Sequence, residues 1–133
     1  MIIIIAIIAV LIIVGILLLY LFPLIKIDGD SMFPTYSEGE VILGCRLINK
    51  QNCEIGKVYI ILLKNDENNE PYYIVKRLSH IDYDPVSGEP LYFFLGDNLR
   101  VSADSRVFGY FKPHQIVARV LKERRNESCG EES

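Results

Sequence analysis

Ser31 lies in the run Ile27-Asp28-Gly29-Asp30-Ser31-Met32-Phe33-Pro34-Thr35, between a flexible glycine and a rigid proline. A serine hydroxyl becomes a nucleophile only when a neutral base takes its proton, and the chain offers few such bases. His80 and His114 are the two histidines. The first follows a strand at a turn and the second follows Pro113 near a strand start, so both read as surface residues. Lys76 sits differently, inside the apolar run Tyr72-Tyr73-Ile74-Val75-Lys76-Arg77-Leu78. Burial strips the hydration that an ammonium needs and lowers a lysine pKa from its usual value of about 10.4. A neutral amine so produced serves as a base, whereas on the solvated face of the strand the same lysine would stay charged.

A third segment, Gly96-Asp97-Asn98-Leu99-Arg100-Val101-Ser102-Ala103-Asp104-Ser105-Arg106, packs polar groups densely after the apolar run ending at Leu95. Such density predicts an organised network. Ser102 is expected to hydrogen-bond the Lys76 amine and orient it, and Asp104 and Arg106 to pair and fix the loop.

These residues need a scaffold close to a membrane. The 133-residue chain has room for one domain of ordinary size and an accessory segment. No charged side chain occurs before Lys26, and all 14 Lys/Arg and 17 Asp/Glu lie from there on. The Ile- and Leu-rich run from Met1 to Phe22 would extend roughly 33 Å as a helix, enough to cross a hydrocarbon core of about 30 Å. It lacks the basic n-region and small-residue exit of a cleavable leader, so residues 1–24 are expected to form a permanent transmembrane anchor closed by Pro23. From Phe22 to Ser31 the chain reaches at most about 30 Å, at roughly 3.3 Å per residue, which keeps Ser31 near the bilayer surface. With no basic residue before the span and Lys26 just after it, charge taken alone favours a cytoplasmic domain.

Residues 25–125 read as a mainly β domain: apolar runs at Val41–Leu43, Lys57–Leu63, Tyr72–Leu78, Leu91–Leu95 and Gln115–Leu121 predict strands. Turn-rich breaks at Ser37–Gly39, Asn65–Pro71 and Asp82–Pro90 separate them. Residues 126–133 read as a flexible polar tail. A net charge of -3 gives no basic field for nucleic acid. Cys45, Cys53 and Cys129 form no metal-binding pattern, so no metal site is expected. Cys45 and Cys53 read as unpaired small hydrophobes, with a disulfide between them as the other reading.

Taken together, the three segments resemble bacterial type I signal peptidase, the enzyme that removes leader peptides from exported proteins. Gly29 to Thr35 matches its Gly-Asp-Ser-Met-x-Pro-Thr motif, Lys76-Arg77 its Lys-Arg at the end of an apolar strand, and Gly96 to Arg106 its third motif at unchanged spacing. Glu38 to Ile42 also looks like the family's strand after the nucleophile. The resemblance runs over about residues 1–122 and implies a β-rich catalytic domain that cuts after small residues with a Ser/Lys dyad and no cofactor, on the extracytoplasmic side of the cell membrane. By the matching positions Ser31 is the nucleophile, Lys76 the general base and Ser102 the group that positions it. Asp97, Asp104 and Arg106 are supports, and Arg77 is the ion-pair partner of Asp97. The resemblance implies as partners signal-peptide-bearing precursors, the lipid bilayer and, as a further candidate, the secretion translocon.

Ile27, Met32, Ile74 and Val75 flank the two central residues and are expected to line shallow apolar pockets for an extended substrate. Phe33 and Tyr36 are expected to pack, with the membrane interface as the other reading. Two positions depart from the pattern. Gly29 stands where some members carry a serine that donates to the oxyanion, as in the short Gram-positive type, and Leu99-Arg100 stands where an arginine usually follows Gly-Asp-Asn directly. With the small size of the domain, Leu99 keeps open a non-catalytic relative that assists assembly of surface proteins such as pilins.

Overall fold

The computed structural model describes residues 1–63, 67–68 and 70–121. The sequence-predicted polar tail, 126–133, lies outside them, as do Cys129 and much of the Asn65–Pro71 break. A helix, α1 (Ile2–Leu21), leads into β1 (Leu24–Lys26) and β2 (Val41–Cys45). Then come β3 (Val58–Leu63), β4 (Tyr72–Tyr83), β5 (Pro90–Leu95), a short helix α2 (Ser105–Phe108), a 3₁₀ turn (Pro113–Gln115) and β6 (Ile116–Val120). The fold is mostly antiparallel sheet after one apolar N-terminal helix.

Helix α1 is apolar on every side and none of its residues is buried. It is long and apolar enough to cross a membrane. The helix ends at Leu21, and Leu24, the last residue of the expected anchor range, already pairs with Leu43 in the sheet. Two hydrogen bonds tie its exit to β2, from the Arg46 N–H to the Leu21 carbonyl and from the Gly44 N–H to the Pro23 carbonyl, both 2.8 Å.

The six strands run in the order β1-β2-β6-β3-β4-β5. Central strand β3 is buried on both faces, which is why its sequence reads as a continuous apolar run rather than an alternation. Val58 and Ile60 face a core of Ile27, Met32, Tyr36, Ile42, Val75, Ala118 and Val120. Tyr59 and Ile61 face a second core of Cys53, Ile74, Leu78, Tyr92, Phe94, Phe111 and Ile116. Burying each large apolar side chain contributes about 1.5–3 kcal/mol. The bulge between Ile60 and Ile61 explains why Ile116 and Ala118, two apart on β6, point into different cores.

Three expectations shift, on the end of β4, on His80 and on Phe33. Strand β4 runs on to Tyr83 because residues 77–83 pair with β5, so Asp82 belongs to the strand and the turn begins at Asp84. There the Asp84 carboxylate accepts the N–H groups of Val86 and Ser87, a local bond that stops the ladder. His80 therefore lies within β4, stacked on Phe93 at 4.5 Å, rather than at a turn. Tyr36 is buried in the first core, whereas Phe33 is 49% exposed. Cys45 and Cys53 are free thiols, the second one buried, in line with the unpaired reading.

Candidate active site

Lys76 occupies the middle of β4 opposite Tyr59 of β3, and only 4% of it is exposed. Its Nζ lies 2.6 Å from the Oγ of Ser31. Burial lowers the Lys76 pKa below the ordinary lysine value, working against the carboxylates of Asp104 and Asp97, which raise it. A neutral amine within hydrogen-bond reach of a hydroxyl is the arrangement that general-base activation requires.

Ser31 is carried by a compact turn. Gly29 opens it with a φ of 76°, a left-handed conformation that a side chain would strain. The Phe33 N–H then donates to the Asp30 carbonyl and the Tyr36 N–H to the Met32 carbonyl. Met32 and Tyr36, both 1% exposed, pin the turn into the first core. The Asn98 N–H donates to the Ser31 carbonyl at 2.9 Å, which joins the turn to the third polar segment.

That segment holds a hydrogen-bonded network around Asp97 and Asp104. Asp97 and Arg77 form a two-pronged ion pair, Nε to Oδ1 and Nη2 to Oδ2, each 2.8 Å. Asp97 also accepts from the Thr35 hydroxyl, and Arg77 reaches the Gly56 carbonyl at 2.7 Å. Burial opposes ionisation of Asp97, but the hydrogen bonds from Arg77 and Thr35 outweigh it and hold the carboxyl below its ordinary pKa. Asp104 is fully buried and caps α2, accepting from the N–H groups of Gly96 and Arg106 and from the Arg106 guanidinium. Burial again opposes ionisation. Arg106, the Gly96 amide and the nearby Ser102 hydroxyl more than offset it, leaving the Asp104 pKa at about 2. Arg106 also reaches the Leu99 and Ser102 carbonyls, so Leu99 contributes its main chain to the loop.

Ser102 departs from expectation. Its Oγ is buried and has no hydrogen-bond partner within reach among the described residues, Lys76 included, although its hydroxyl is near enough to Asp104 to favour the ionised carboxyl. The reason is its seat: the side chain is wedged against Gly96, where a Cβ would fall 2.0 Å from the Ser102 Oγ and 2.6 Å from the Ser31 carbonyl oxygen. Only glycine fits at 96, and the Lys76 amine points to Ser31.

A cavity of about 420 Å³ opens on the pair. Ile27, Met32, Ile74 and Val75 all line it, together with Tyr72, Tyr73, Val101, Ala103 and Phe108, which sequence reasoning did not single out. Its two sides are residues 25–32 and 72–76, although β2, β6 and β3 lie between β1 and β4 in the sheet, so the sheet coils to bring them together. Each side carries a strand segment that, among the described residues, is paired on one edge alone: β1 with β2, and residues 72–76 of β4 with β3, since β5 joins only from Arg77. Thr35, Gly96 and Asn98 were also missed as connecting residues. Their place within the recurring motifs was the available signal.

Residues 88–122 match the family model for signal peptidase, peptidase S26. The match contains the polar segment Gly96–Arg106 and strand β6, while Ser31 and Lys76 lie outside it. It supports a signal-peptidase-like function. None of the curated proteins compared with the chain matches it.

Proposed function

We propose that this chain is a membrane-bound serine endopeptidase that removes N-terminal signal peptides from exported precursors through a Ser31/Lys76 dyad. The observation that carries this reading is the 2.6 Å contact between a buried Lys76 Nζ and the Ser31 Oγ. Lys76 takes the proton as Oγ attacks the scissile carbonyl carbon, with the main-chain N–H of Ser31 as an oxyanion donor. The C–N bond then breaks, Lys76 returns the proton to the leaving amine, and an acyl-enzyme on Ser31 remains. Water, deprotonated by the same amine, hydrolyses it.

Asp97, Asp104, Arg77 and Arg106 act here as the frame that holds the dyad. The two unpaired strand edges flanking the cavity suit an extended peptide, which would complete both ladders while Ile27, Met32, Ile74 and Val75 receive its small side chains. Helix α1 anchors the enzyme in the cell membrane, with the catalytic domain on the extracytoplasmic side. Nucleophile and cleavage site then share one plane, which reduces the orientational search. The test is incubation of the detergent-solubilised protein with a precursor and sequencing of the new N-terminus. Cleavage after a small residue by the wild type and none by Ser31→Ala is expected. Intact precursor with both proteins would favour the non-catalytic assembly role.

A further inference from the structure

Arg46, immediately after β2, has surroundings unlike those of the arginines that frame the domain. Arg77, Arg106 and Arg119 each face a carboxylate, on Asp97, Asp104 and Glu54. Arg46 is half-buried, its Nε is enclosed without a hydrogen-bond partner, and no ion pair engages it among the described residues. Its guanidinium carbon instead lies 4.9 Å from the ring centroid of Tyr20, in the last turn of α1. A ring face holds a guanidinium by cation–π attraction and orients its plane, but it accepts none of the in-plane N–H bonds.

The position of this pair along the membrane normal follows from the main chain. The Arg46 N–H is bonded to the carbonyl of Leu21, the final residue of α1, and the adjacent Gly44 bond to Pro23 fixes the same level. If α1 spans the bilayer, as the proposed function requires, Tyr20 and Arg46 stand where the hydrocarbon gives way to headgroups, the depth at which tyrosine rings concentrate. Leu47, beside Arg46, is 66% exposed. With Nε enclosed, the two terminal nitrogens of the guanidinium are the donors left at that depth to meet the two free oxygens of a phosphodiester.

We propose that Arg46, seated on Tyr20, binds the phosphodiester of a membrane phospholipid headgroup and thereby holds the folded domain at a fixed depth. The proposal rests on the membrane-spanning reading of α1. The test is native mass spectrometry of the full-length protein in non-ionic detergent titrated with phosphatidylglycerol. The wild type is expected to retain phospholipid, Arg46→Gln at least about fivefold less, and Arg46→Lys an intermediate amount, because a lysine keeps the charge without the fork. Equal retention by wild type and Arg46→Gln would overturn the proposal. Displacement of the lipid by millimolar inorganic phosphate would also overturn it, assigning the site to a soluble anion. If Arg46→Gln does not fold, Tyr20→Leu, a substitution on an exposed helix face, is measured in its place with the same two outcomes. Alkaline carbonate extraction separates the two readings: release of the wild type from membranes would sink the spanning helix itself, whereas retention in the pellet leaves the lipid result to decide.

Discussion

Lys76 and Ser31 are 45 residues apart in the chain and 2.6 Å apart in space, and the two carboxylates that act on Lys76 are each engaged by an arginine of their own. Asp97 is held by Arg77 and Asp104 by Arg106. An unaccompanied carboxylate beside a lysine would keep it protonated; each arginine offsets part of that field. Burial can then lower the amine's pKa, which the chemistry needs.

Removing either member of the pair should stop turnover. Ser31→Ala and Lys76→Ala are expected to lose processing by at least about 10²–10⁴-fold, the usual contribution of a positioned acid-base group. Lys76→Arg should be equally inactive, because a guanidinium stays charged at any usable pH. Precursor cleavage followed by gel, with circular dichroism to establish folding, checks all three.

The burial of Lys76 should appear as a stability cost with a defined pH sign. A lysine with a lowered folded-state pKa binds more protons when unfolded, so stability rises with pH between the folded value and the ordinary 10.5. Below the folded pKa the cost is present in full. Lys76→Met should therefore melt higher than wild type near neutral pH, with the gap closing as pH approaches 10.5. Thermal melts across that range test it, and a gap independent of pH would contradict it.

Freeing Asp104 should move the catalytic pH profile. Arg106→Gln removes the guanidinium that faces this carboxylate, and the stronger field raises the Lys76 pKa. The rising limb of kcat/KM should shift to higher pH than in wild type. A simple structural defect would lower activity at all pH values without moving the limb.

Asp104 itself ties acid stability to the loop. Its pKa of about 2 lies below the ordinary 3.8, so its contribution is present above the ordinary value and lost as pH falls toward 2. Asp104→Asn should destabilise the domain by about 1–3 kcal/mol at neutral pH. The difference from wild type should shrink below pH 4, as denaturant titrations at several pH values would show.

The positions of Gly96 and Ser102 lead to a steric prediction. Gly96→Ala should cost about 1–3 kcal/mol by overpacking and should also impair cleavage, since the added methyl meets the Ser31 carbonyl as well as the Ser102 side chain. Gly96→Ala combined with Ser102→Gly should recover some stability and little activity, because the backbone clash at Ser31 persists.

Much of this was legible in the sequence because it is encoded locally. The apolar helix announces itself by composition, β3 by its continuous apolar run, and the Asp104–Arg106 pair by a spacing of two residues. The Arg77–Asp97 pair and the placement of Ser31 near Lys76 were legible only through the resemblance of three separated motifs, since local pattern carries no long-range pairing. The rest depends on geometry that one-dimensional pattern does not hold. Strand β1 is three residues long and lies beyond any periodicity, β4 continues through Asp82 because β5 supplies a partner, and the coil of the sheet brings Tyr72 and Tyr73 to the cavity. Ser102 was assigned to Lys76 by the polar density of its segment and by the resemblance, and in the structure its buried Oγ has no hydrogen-bond partner among the described residues.

The proton inventory of Lys76 offers the most direct test of the dyad. Its ε-carbon resonance, labelled with carbon-13 and assigned against Lys76→Arg, can be titrated by NMR beside the pH dependence of kcat/KM. The expected result is one midpoint below 10.5 shared by the resonance and the activity. A Lys76 that remains charged throughout the pH range in which precursor is cleaved would contradict the proposed chemistry.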